Sequence, residues 1–377
     1  MQQSNFEIQT PSYIIDEAKI ISNLEILKDV AEKSGAKILL AQKAFSAFAL
    51  YPLIGKYLSG TTASGLYEAK LGYEEMGLEN HVFSAAYRED EFDEILSITD
   101  HIVFNSFNQW EKYKEKAINS KKSFGIRVNP ECSTGSHGIY DPCAVGSRLG
   151  VIRSEFPSVF PKEIDGLHFH TLCQQNSDDL IKTISAFEEK FSEFFPMLKW
   201  VNFGGGHHIT REDYDVQALI EAVKRFKQKY NLTVYLEPGE AIALNAGYLV
   251  TTILDITSNN GIINAILDAS AACHMPDVIE MPYRPPLLNS GEVNEKKYNY
   301  RLGGPTCLSG DIISDYSFDQ ELKIGQQLVF EDMAIYSMVK NNTFNGMALP
   351  SIALLKTNGE IKIIKTFGYL DFKTRLS

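Results

Sequence analysis

The stretch Trp200-Val-Asn-Phe-Gly-Gly-Gly206 and the two segments that follow it decide the predicted fold. A short apolar run ends there in three glycines, and residues 216–230 then show helical periodicity. A second apolar run at 233–237 ends in Glu237. Short apolar runs separated by an amphipathic helix are typical of neighbouring strands in a parallel sheet. The stretch therefore predicts two such strands, each ending in polar or glycine residues.

The same pattern extends from this unit toward the start of the chain. Six more apolar runs precede it, at residues 37–42, 60–63, 81–85, 101–105, 124–129 and 165–170. Helical periodicity alternates with them, at 44–57, 67–76, 91–98 and 179–194. Eight strands in about 200 residues favour a TIM-type (β/α)8 barrel over an open doubly wound sheet, because no GxGxxG motif follows the first strand. On pattern alone the open α/β sheet stays an alternative.

After about residue 247 the pattern changes, because apolar runs now follow one another with little helix between them. Asn358-Gly359 lies between two alternating runs, which strongly indicates a hairpin. We therefore predict an α/β chain of two domains. A barrel covers 15–246, and a mostly β domain covers 247–377 together with residues 1–14, of which 6–14 are strand-like.

Charge and cysteine content exclude several classes of protein. The chain of 377 residues has 36 Lys and Arg against 48 Asp and Glu, a net charge of −12, so we expect no nucleic-acid partner and no anionic membrane surface. The first ten residues lack the features of a signal peptide, and no later stretch could span a membrane. The 5 cysteines show no CxxC spacing. We expect a cytoplasmic protein. Its acidic surface would suit a cationic ligand, although most cytoplasmic proteins are also mildly acidic.

Chemically useful residues stand where the barrel strands are predicted to end, which is where the active sites of such barrels lie. They are Lys43, Arg127, Asn129, His168, His170, Gly204, Gly205, Gly206 and Glu237. A lysine buried at this position would be partly neutral and suited to Schiff-base chemistry, although an ordinary solvated lysine is the alternative.

The remaining residues at the strand ends allow two interpretations each. The glycine loop (residues 204–206) would let a phosphate approach the main chain, or it is only a tight turn. Glu237 would face a pyridine nitrogen and keep it protonated, or it belongs to a surface turn with Pro238 and Gly239. His168 and His170 could be metal ligands or a core pair, but no third ligand has a recognisable spacing, so no metal is predicted.

Six motifs occur in order along the chain and carry a family resemblance. They are Ala-Gln-Lys-Ala-Phe (41–45), Gly-Leu-His-Phe-His (166–170), Asn-Phe-Gly-Gly-Gly (202–206), Glu-Pro-Gly-Glu (237–240), Gly-Gly-Pro-Thr-Cys-Leu-Ser-Gly-Asp (303–311) and Glu-Asp-Met-Ala-Ile-Tyr (331–336). With these motifs the chain resembles the fold-type III pyridoxal-phosphate decarboxylases. That alanine-racemase-like barrel group contains ornithine, arginine and diaminopimelate decarboxylases. The resemblance spans nearly the whole chain and implies pyridoxal 5'-phosphate as the cofactor.

The resemblance also implies roles for individual residues. Lys43 would carry the cofactor covalently, and His170 would stack on its ring. The glycine loop and Tyr336 would hold the phosphate, Glu237 would face the ring nitrogen, and Arg127 would lie near the ring hydroxyl. Cys307 would reach the site from the second subunit of a homodimer with shared active sites and act as a proton donor.

Departures from the general family pattern indicate the substrate. Many relatives have arginine where this chain has Glu240, and an acidic residue where it has Leu308. Residues 268–285 and 304–316 resemble the carboxynorspermidine decarboxylase branch, which implies a carboxylated triamine, carboxynorspermidine or carboxyspermidine, as substrate in polyamine biosynthesis. Glu240, Asp277 and Asp311 would then bind the protonated amines.

Three other functions stay open. One is decarboxylation of diaminopimelate or another basic amino acid on the same fold. An amino-acid racemase would ordinarily use a catalytic tyrosine, whereas the Gly-Pro-Thr-Cys sequence favours a decarboxylase. A non-catalytic homologue would be expected to lack Lys43 or Cys307, and this chain has both.

Overall fold

A computed structural model describes residues 6–135 and 138–377 of the chain. The chain divides into two compact units. Ser22–Ile242 form the first, called the barrel unit here. Ala243–Ser377 together with the residues up to Ile21 form the second, the β unit.

Eight parallel strands close into a barrel in the barrel unit. The chain begins with strand β1 (Ser12–Asp16) of the β unit, and the barrel strands follow. They are β2 (Lys37–Ala41), β3 (Gly60–Ala63), β4 (Glu79–Phe83), β5 (His101–Phe104), β6 (Ser123–Arg127), β7 (Gly166–His168), β8 (Trp200–Asn202) and β9 (Thr233–Leu236). Pairing of β9 with β2 closes the ring. The predicted barrel is confirmed, and the open sheet is wrong.

Helices follow the strands around the barrel. They are α1 (Glu17–Ser34), α2 (Tyr51–Ile54), α3 (Leu66–Glu75), α4 (Glu89–Ile98), α5 (Phe107–Ile118), α6 (Ser177–Phe191), α7 (Val216–Tyr230) and α8 (Glu240–Ala243), with 3-10 turns at Phe48–Leu50, Gly138–Tyr140, Arg153–Glu155 and Ser192–Met197. The continuous helix predicted at 44–57 is wrong. Pro52 has no N–H to donate and its ring would clash with the carbonyl one turn earlier, so only a short helix forms from Tyr51.

Trp200 shows how the barrel interior is filled. Its ring lies over two strand glycines, because a Cβ at Gly166 would approach it to 2.2 Å and one at Gly125 to 2.4 Å. The indole Nε1 donates to Ser123 Oγ at 2.8 Å. Glycine at these two positions is therefore required by the bulk of one tryptophan on a neighbouring strand.

An eight-stranded sheet makes up most of the β unit. Its strands after β1 are β10 (Gly247–Asn259), β11 (Ile262–Leu267), β12 (Tyr298–Gly303), β13 (Ile312–Phe318), β14 (Gln327–Glu331), β15 (Ser351–Leu355) and β16 (Ile361–Lys365). Short helices lie at α9 (Ala271–His274), α10 (Asp277–Glu280), α11 (Ser337–Lys340) and α12 (Tyr369–Lys373), with a 3-10 turn at Phe344–Gly346. The strand order is β13-β12-β11-β10-β1-β15-β16, and β14 pairs with β10.

Two sequence predictions concern the edges of this sheet. The hairpin at Asn358-Gly359 is confirmed, since β15 and β16 pair antiparallel around it and Gly359 has φ +87°. The N-terminal strand begins at Ser12 rather than at residue 6, because Pro11 cannot donate to a ladder. Phe6 instead packs into a core cluster with Tyr248. Among the described residues, no helix is long and apolar enough to cross a membrane.

Candidate active site

Lys43 stands just beyond the carboxyl end of β2 and faces His170, which follows β7. The Lys43 Nζ lies 3.4 Å from His170 Nε2. The lysine side chain is exposed by its accessible surface, but the surrounding site residues desolvate its ammonium group, which lowers the pKa of that group. The nearby Arg127 lowers the pKa further, while Glu237 acts in the opposite direction. The site therefore makes Lys43 easier to deprotonate than a lysine in water.

His170 is held as a neutral ring. The Gly205 N–H donates to its Nδ1 at 3.1 Å, so the ring proton belongs on Nε2, the nitrogen that faces Lys43. Burial lowers the pKa of His170 well below its ordinary value, and the charges of Lys43 and Arg127 add to the effect. The ring of His170 therefore stays neutral beside Lys43.

Arg127 supplies the fixed positive charge of the site from the end of β6. It is 5% exposed, and its guanidinium lies over the Phe83 ring, 4.5 Å from the centroid. One nitrogen donates to the His170 carbonyl at 2.9 Å. Burial lowers its pKa to about 10, against the opposing effect of Glu237, so it stays charged at neutral pH.

The glycine loop follows β8 and excludes side chains. A Cβ at Gly205 would lie 2.0 Å from the Glu237 carbonyl oxygen, and one at Gly206 would lie 1.8 Å from that of Leu172. Gly204 and Gly206 also have φ of +67° and +82°. The Gly204 and Gly205 N–H groups already donate within the barrel unit, to Asn202 and to His170. A phosphate here would be bound by other groups of the loop, and its binding stays a prediction.

Glu237 directly follows β9 and is 6% exposed, so the alternative of a surface turn is wrong. Asn202 Nδ2 donates to its Oε1 at 2.7 Å. His168 Nε2 lies 3.4 Å from its Oε2. Burial lowers the pKa of His168 to about 4, which keeps this neighbour neutral at physiological pH. The carboxylate is thus fixed by Asn202 and is not neutralised by a protonated histidine.

Glu240 begins α8 and is already hydrogen-bonded within the barrel unit. Its carboxylate pairs with His208 Nε2, and Gln174 Nε2 donates to it at 3.1 Å. The His208 and Glu240 side chains are only 8% and 10% exposed. The sequence does not predict this pairing, because His208 and Glu240 lie 32 residues apart.

The remaining predicted residues belong to the β unit. Cys307 is exposed, and its backbone N–H and thiol both donate to Asn345 Oδ1, at 3.2 and 3.1 Å. Asp311 is 4% exposed and accepts from Ser270 Oγ and Thr306 Oγ1 at 2.9 and 2.7 Å.

Two further β-unit residues lie at or next to short helices. Asp277 pairs with Lys340, which also binds Glu280. Tyr336 precedes α11 with φ +51°, an unusual conformation for a tyrosine. The proposed roles of Tyr336 in phosphate binding, of Cys307 in catalysis, and of Asp277 and Asp311 in substrate binding stay predictions.

Two clusters of the described residues have the composition of metal sites. One is His168, His170 and Glu237 in the candidate active site. The other, at the amino-terminal end of the barrel, is Glu79, His81 and His101. In it the two imidazoles stack 4.0 Å apart at 14°, so their in-plane lone pairs run nearly parallel and do not converge on one ion.

Asn202 is the site residue that sequence reasoning missed. It is the first residue of the Asn-Phe-Gly-Gly-Gly motif (202–206), but no role was predicted for it. The signal available was its position: it is the last residue of β8, directly before the glycine loop. Polar residues at the carboxyl ends of barrel strands are expected to serve the site.

Fold and site together define a barrel with a lysine, a buried carboxylate and a side-chain-free glycine loop at its carboxyl end. Two of these groups fit pyridoxal phosphate: a lysine amine with a lowered pKa for its aldehyde, and a carboxylate fixed by Asn202 for its ring nitrogen. A family model described as "Pyridoxal-dependent decarboxylase, C-terminal sheet domain" matches residues 12–334. The chain belongs to the pyridoxal-dependent decarboxylase family.

Individual proteins of known name show which enzymes this chain is similar to. The carboxynorspermidine/carboxyspermidine decarboxylase of Campylobacter jejuni is 46% identical, with 98% of this chain and 99% of that protein covered. The carboxyaminopropylagmatine decarboxylase of Synechocystis is 39% identical, with 98% and 96% covered. A crystal structure of the Campylobacter jejuni carboxynorspermidine decarboxylase with norspermidine matches at 44% identity and a TM-score of 0.91, with 98% and 100% covered.

Proposed function

We propose that this chain is a pyridoxal-phosphate-dependent carboxy-lyase that converts carboxynorspermidine and carboxyspermidine to norspermidine and spermidine. The observation that carries the proposal is the arrangement of Lys43 beside a neutral His170, opposite a buried Glu237. The similarity in sequence and structure to enzymes named for these substrates supports it. When bound, the cofactor supplies the electron sink that makes loss of CO2 possible.

Lys43 and His170 would bind the reactive end of the cofactor. A lysine must lose its proton to act as a nucleophile, and the desolvation and the Arg127 charge at this position favour that loss. His170, neutral and anchored by Gly205, would lie flat against the ring without adding a charge. Arg127 would stay charged and face the ring hydroxyl.

Glu237 would hold a proton on the cofactor nitrogen through its negative charge. Asn202 donates to one carboxylate oxygen, which leaves the second, toward His168, for the ring. Because His168 is neutral, it does not compete as a cation for this carboxylate. The barrel unit would thus supply a carboxylate for the ring nitrogen and, at Lys43, an amine with a lowered pKa for the aldehyde.

The substrate would be bound through its protonated amines. Among the three predicted carboxylates, Glu240 lies in the barrel unit and Asp277 and Asp311 in the β unit. Charge-assisted hydrogen bonds to buried carboxylates contribute about 1.5–3 kcal/mol each. We assign the main amine contact to Glu240, whose partner His208 could release it when a cation arrives.

We further propose a cytoplasmic homodimer in which Cys307 of one subunit would give its thiol proton to the α-carbon that has lost CO2 in the site of the other subunit, which completes the product. The Cys307 thiol is exposed, and it donates a hydrogen bond to the amide oxygen of Asn345. The residue after the cysteine is Leu308, which is exposed. No acidic side chain therefore follows the cysteine directly.

The proposal is tested by measuring CO2 release from the purified protein with added cofactor. The substrates compared are carboxynorspermidine, carboxyspermidine, carboxyaminopropylagmatine, diaminopimelate and ornithine. We expect the two carboxylated triamines to give the highest kcat/KM, at least about tenfold above the others, the effect of one charged contact. Faster turnover of diaminopimelate or ornithine would contradict the substrate assignment. Loss of optical rotation without CO2 would indicate a racemase.

A further inference from the structure

The side-chain amide of Asn202 makes two hydrogen bonds inside the candidate site, one through its nitrogen and one through its oxygen. It is fully buried, at 0% exposure. Its Nδ2 donates to Glu237 Oε1 at 2.7 Å, and its Oδ1 accepts from the Gly204 N–H at 2.8 Å. A backbone N–H needs an acceptor and a carboxylate needs a donor, so only one of the two amide orientations satisfies both partners.

The two partners of Asn202 are the groups assigned to opposite ends of the cofactor. We propose that Asn202 is a positioning residue that holds the Glu237 carboxylate at a fixed distance from the glycine loop. The carboxylate could then contact the ring nitrogen of the cofactor while the loop contacts its phosphate. This inference rests on the proposed function of Glu237 and of the loop.

The backbone alone does not explain this contact. The Glu237 N–H donates to the Gly204 carbonyl at 2.7 Å, which aligns the main chains of the two segments. That bond leaves rotation about the Glu237 side chain free. His168 does not replace Asn202, because neither of its ring nitrogens makes a hydrogen bond to the described residues. The Asn202 amide is therefore the donor that selects the carboxylate position.

A nearly isosteric substitution separates positioning from packing. Asn202→Asp keeps the acceptor for Gly204 but replaces the donor with an oxygen 2.7 Å from the carboxylate. Two carboxyl groups this close share one proton at lower pH, which mimics the wild-type donor and single negative charge. When the pH rises and the shared proton is lost, the two charges repel and Glu237 moves.

The experiment measures kcat and the absorption spectrum of the bound cofactor from pH 6 to pH 9. Asn80→Asp is the matched control, since Asn80 is a buried barrel asparagine whose Nδ2 donates to the carbonyls of Ala69 and Ile98, away from the site. We expect the kcat of Asn202→Asp, relative to wild type, to fall about tenfold to a hundredfold as the pH rises. The cofactor spectrum should change with the same midpoint, whereas Asn80→Asp should follow the wild-type profile.

A double variant keeps the inference testable if Asn202→Asp folds poorly. Asn202→Asp with Glu237→Gln exchanges the carboxylate and the amide, so a donor again faces an acceptor and no proton is shared. We expect cofactor binding without the added pH-dependent spectral change, and low turnover because the negative charge is misplaced. The same spectral change in this double variant as in Asn202→Asp would contradict the inference.

The outcomes distinguish this inference from the proposed function. If wild type binds no pyridoxal phosphate and releases no CO2, the proposed function fails, and this inference with it. If wild type is active and Asn202→Asp has the same pH profile as Asn80→Asp, the inference alone is overturned, and Asn202 serves only packing.

Discussion

The polar residues of the two units have different environments. In the barrel unit, residues at five strand ends converge, and burial and neighbouring charges lower the pKa values of Lys43, Arg127 and His170. In the β unit, the predicted carboxylates Asp277 and Asp311 are already bound to partners of their own chain. Perturbed groups are typical of chemical sites, whereas satisfied groups are typical of structural ones. This comparison supports the proposal that the covalent and ring-binding groups lie in the barrel unit.

Removing the barrel lysine is the most severe test of the comparison. Lys43→Ala should abolish the visible absorbance of bound cofactor and lower kcat by about 10³-fold or more, because both the covalent attachment and a proton-transfer group are lost. The spectrum and a CO2-release assay measure this. Lys37→Ala is the control, since Lys37 begins the same strand and pairs with Glu79. Near wild-type turnover of Lys43→Ala would remove the lysine from the site.

A mixing experiment tests whether the β unit contributes chemistry at all. Cys307→Ala should lower turnover by about a hundredfold, the scale of losing a positioned proton donor. Mixing it with Lys43→Ala should recover roughly a quarter of wild-type activity, because half of the dimers would carry one complete site. Native mass spectrometry verifies the exchange of subunits. No recovery after complete exchange would show that Cys307 acts within its own chain or is structural.

Carboxylate substitutions compare the two units directly. Glu240→Gln should raise the KM for the carboxylated triamine about tenfold, since a charge-assisted contact to a protonated amine is lost. The bound-cofactor spectrum should stay unchanged. Asp277→Asn should raise KM less, because its charge is already shared with Lys340. A larger KM effect for Asp277→Asn than for Glu240→Gln would reverse the assignment of the amine contact.

Acid should destabilise the barrel unit more than the β unit, and this is the smallest effect. Burial lowers the histidine pKa to about 2 in His101, about 4 in His168 and about 3 in His207, all in the barrel unit, against about 4 in His274 of the β unit. Above pH 6.5 these rings are neutral in both the folded and the unfolded chain, so they do not change the free energy of unfolding. Below this pH, the unfolded chain binds more protons, at about 1.4 kcal/mol per pH unit for each ring.

Hydrogen exchange measured at pH 7 and pH 5 tests this difference. We expect protection in the barrel strands to fall more than protection in β10 to β14. Equal losses in both units would show that the buried histidines titrate without a cost to folding. His168→Asn, which removes one such ring, should reduce the pH dependence of the barrel.

The order of the elements followed from the chain itself. Apolar runs bounded by polar residues marked all eight barrel strands, because a strand buried on both faces must be apolar along its whole length. The residue types at strand ends, with six ordered motifs, indicated the cofactor and its lysine. The false helix at 44–57 shows the limit of periodicity, since one proline overrode it.

Tertiary structure alone decided which groups meet. Asn202 and Glu237 lie 35 residues apart, His208 and Glu240 lie 32 apart, and Ser270 and Asp311 lie 41 apart. Hydropathy patterns report a residue's own face of a helix or strand, and carry no information about the rotamer that meets a partner on another element. The sequence by itself therefore determined the barrel and the residue types at the carboxyl ends of its strands. Packing determined that Asn202 hydrogen-bonds to Glu237 and that Asp311 is hydrogen-bonded within the β unit.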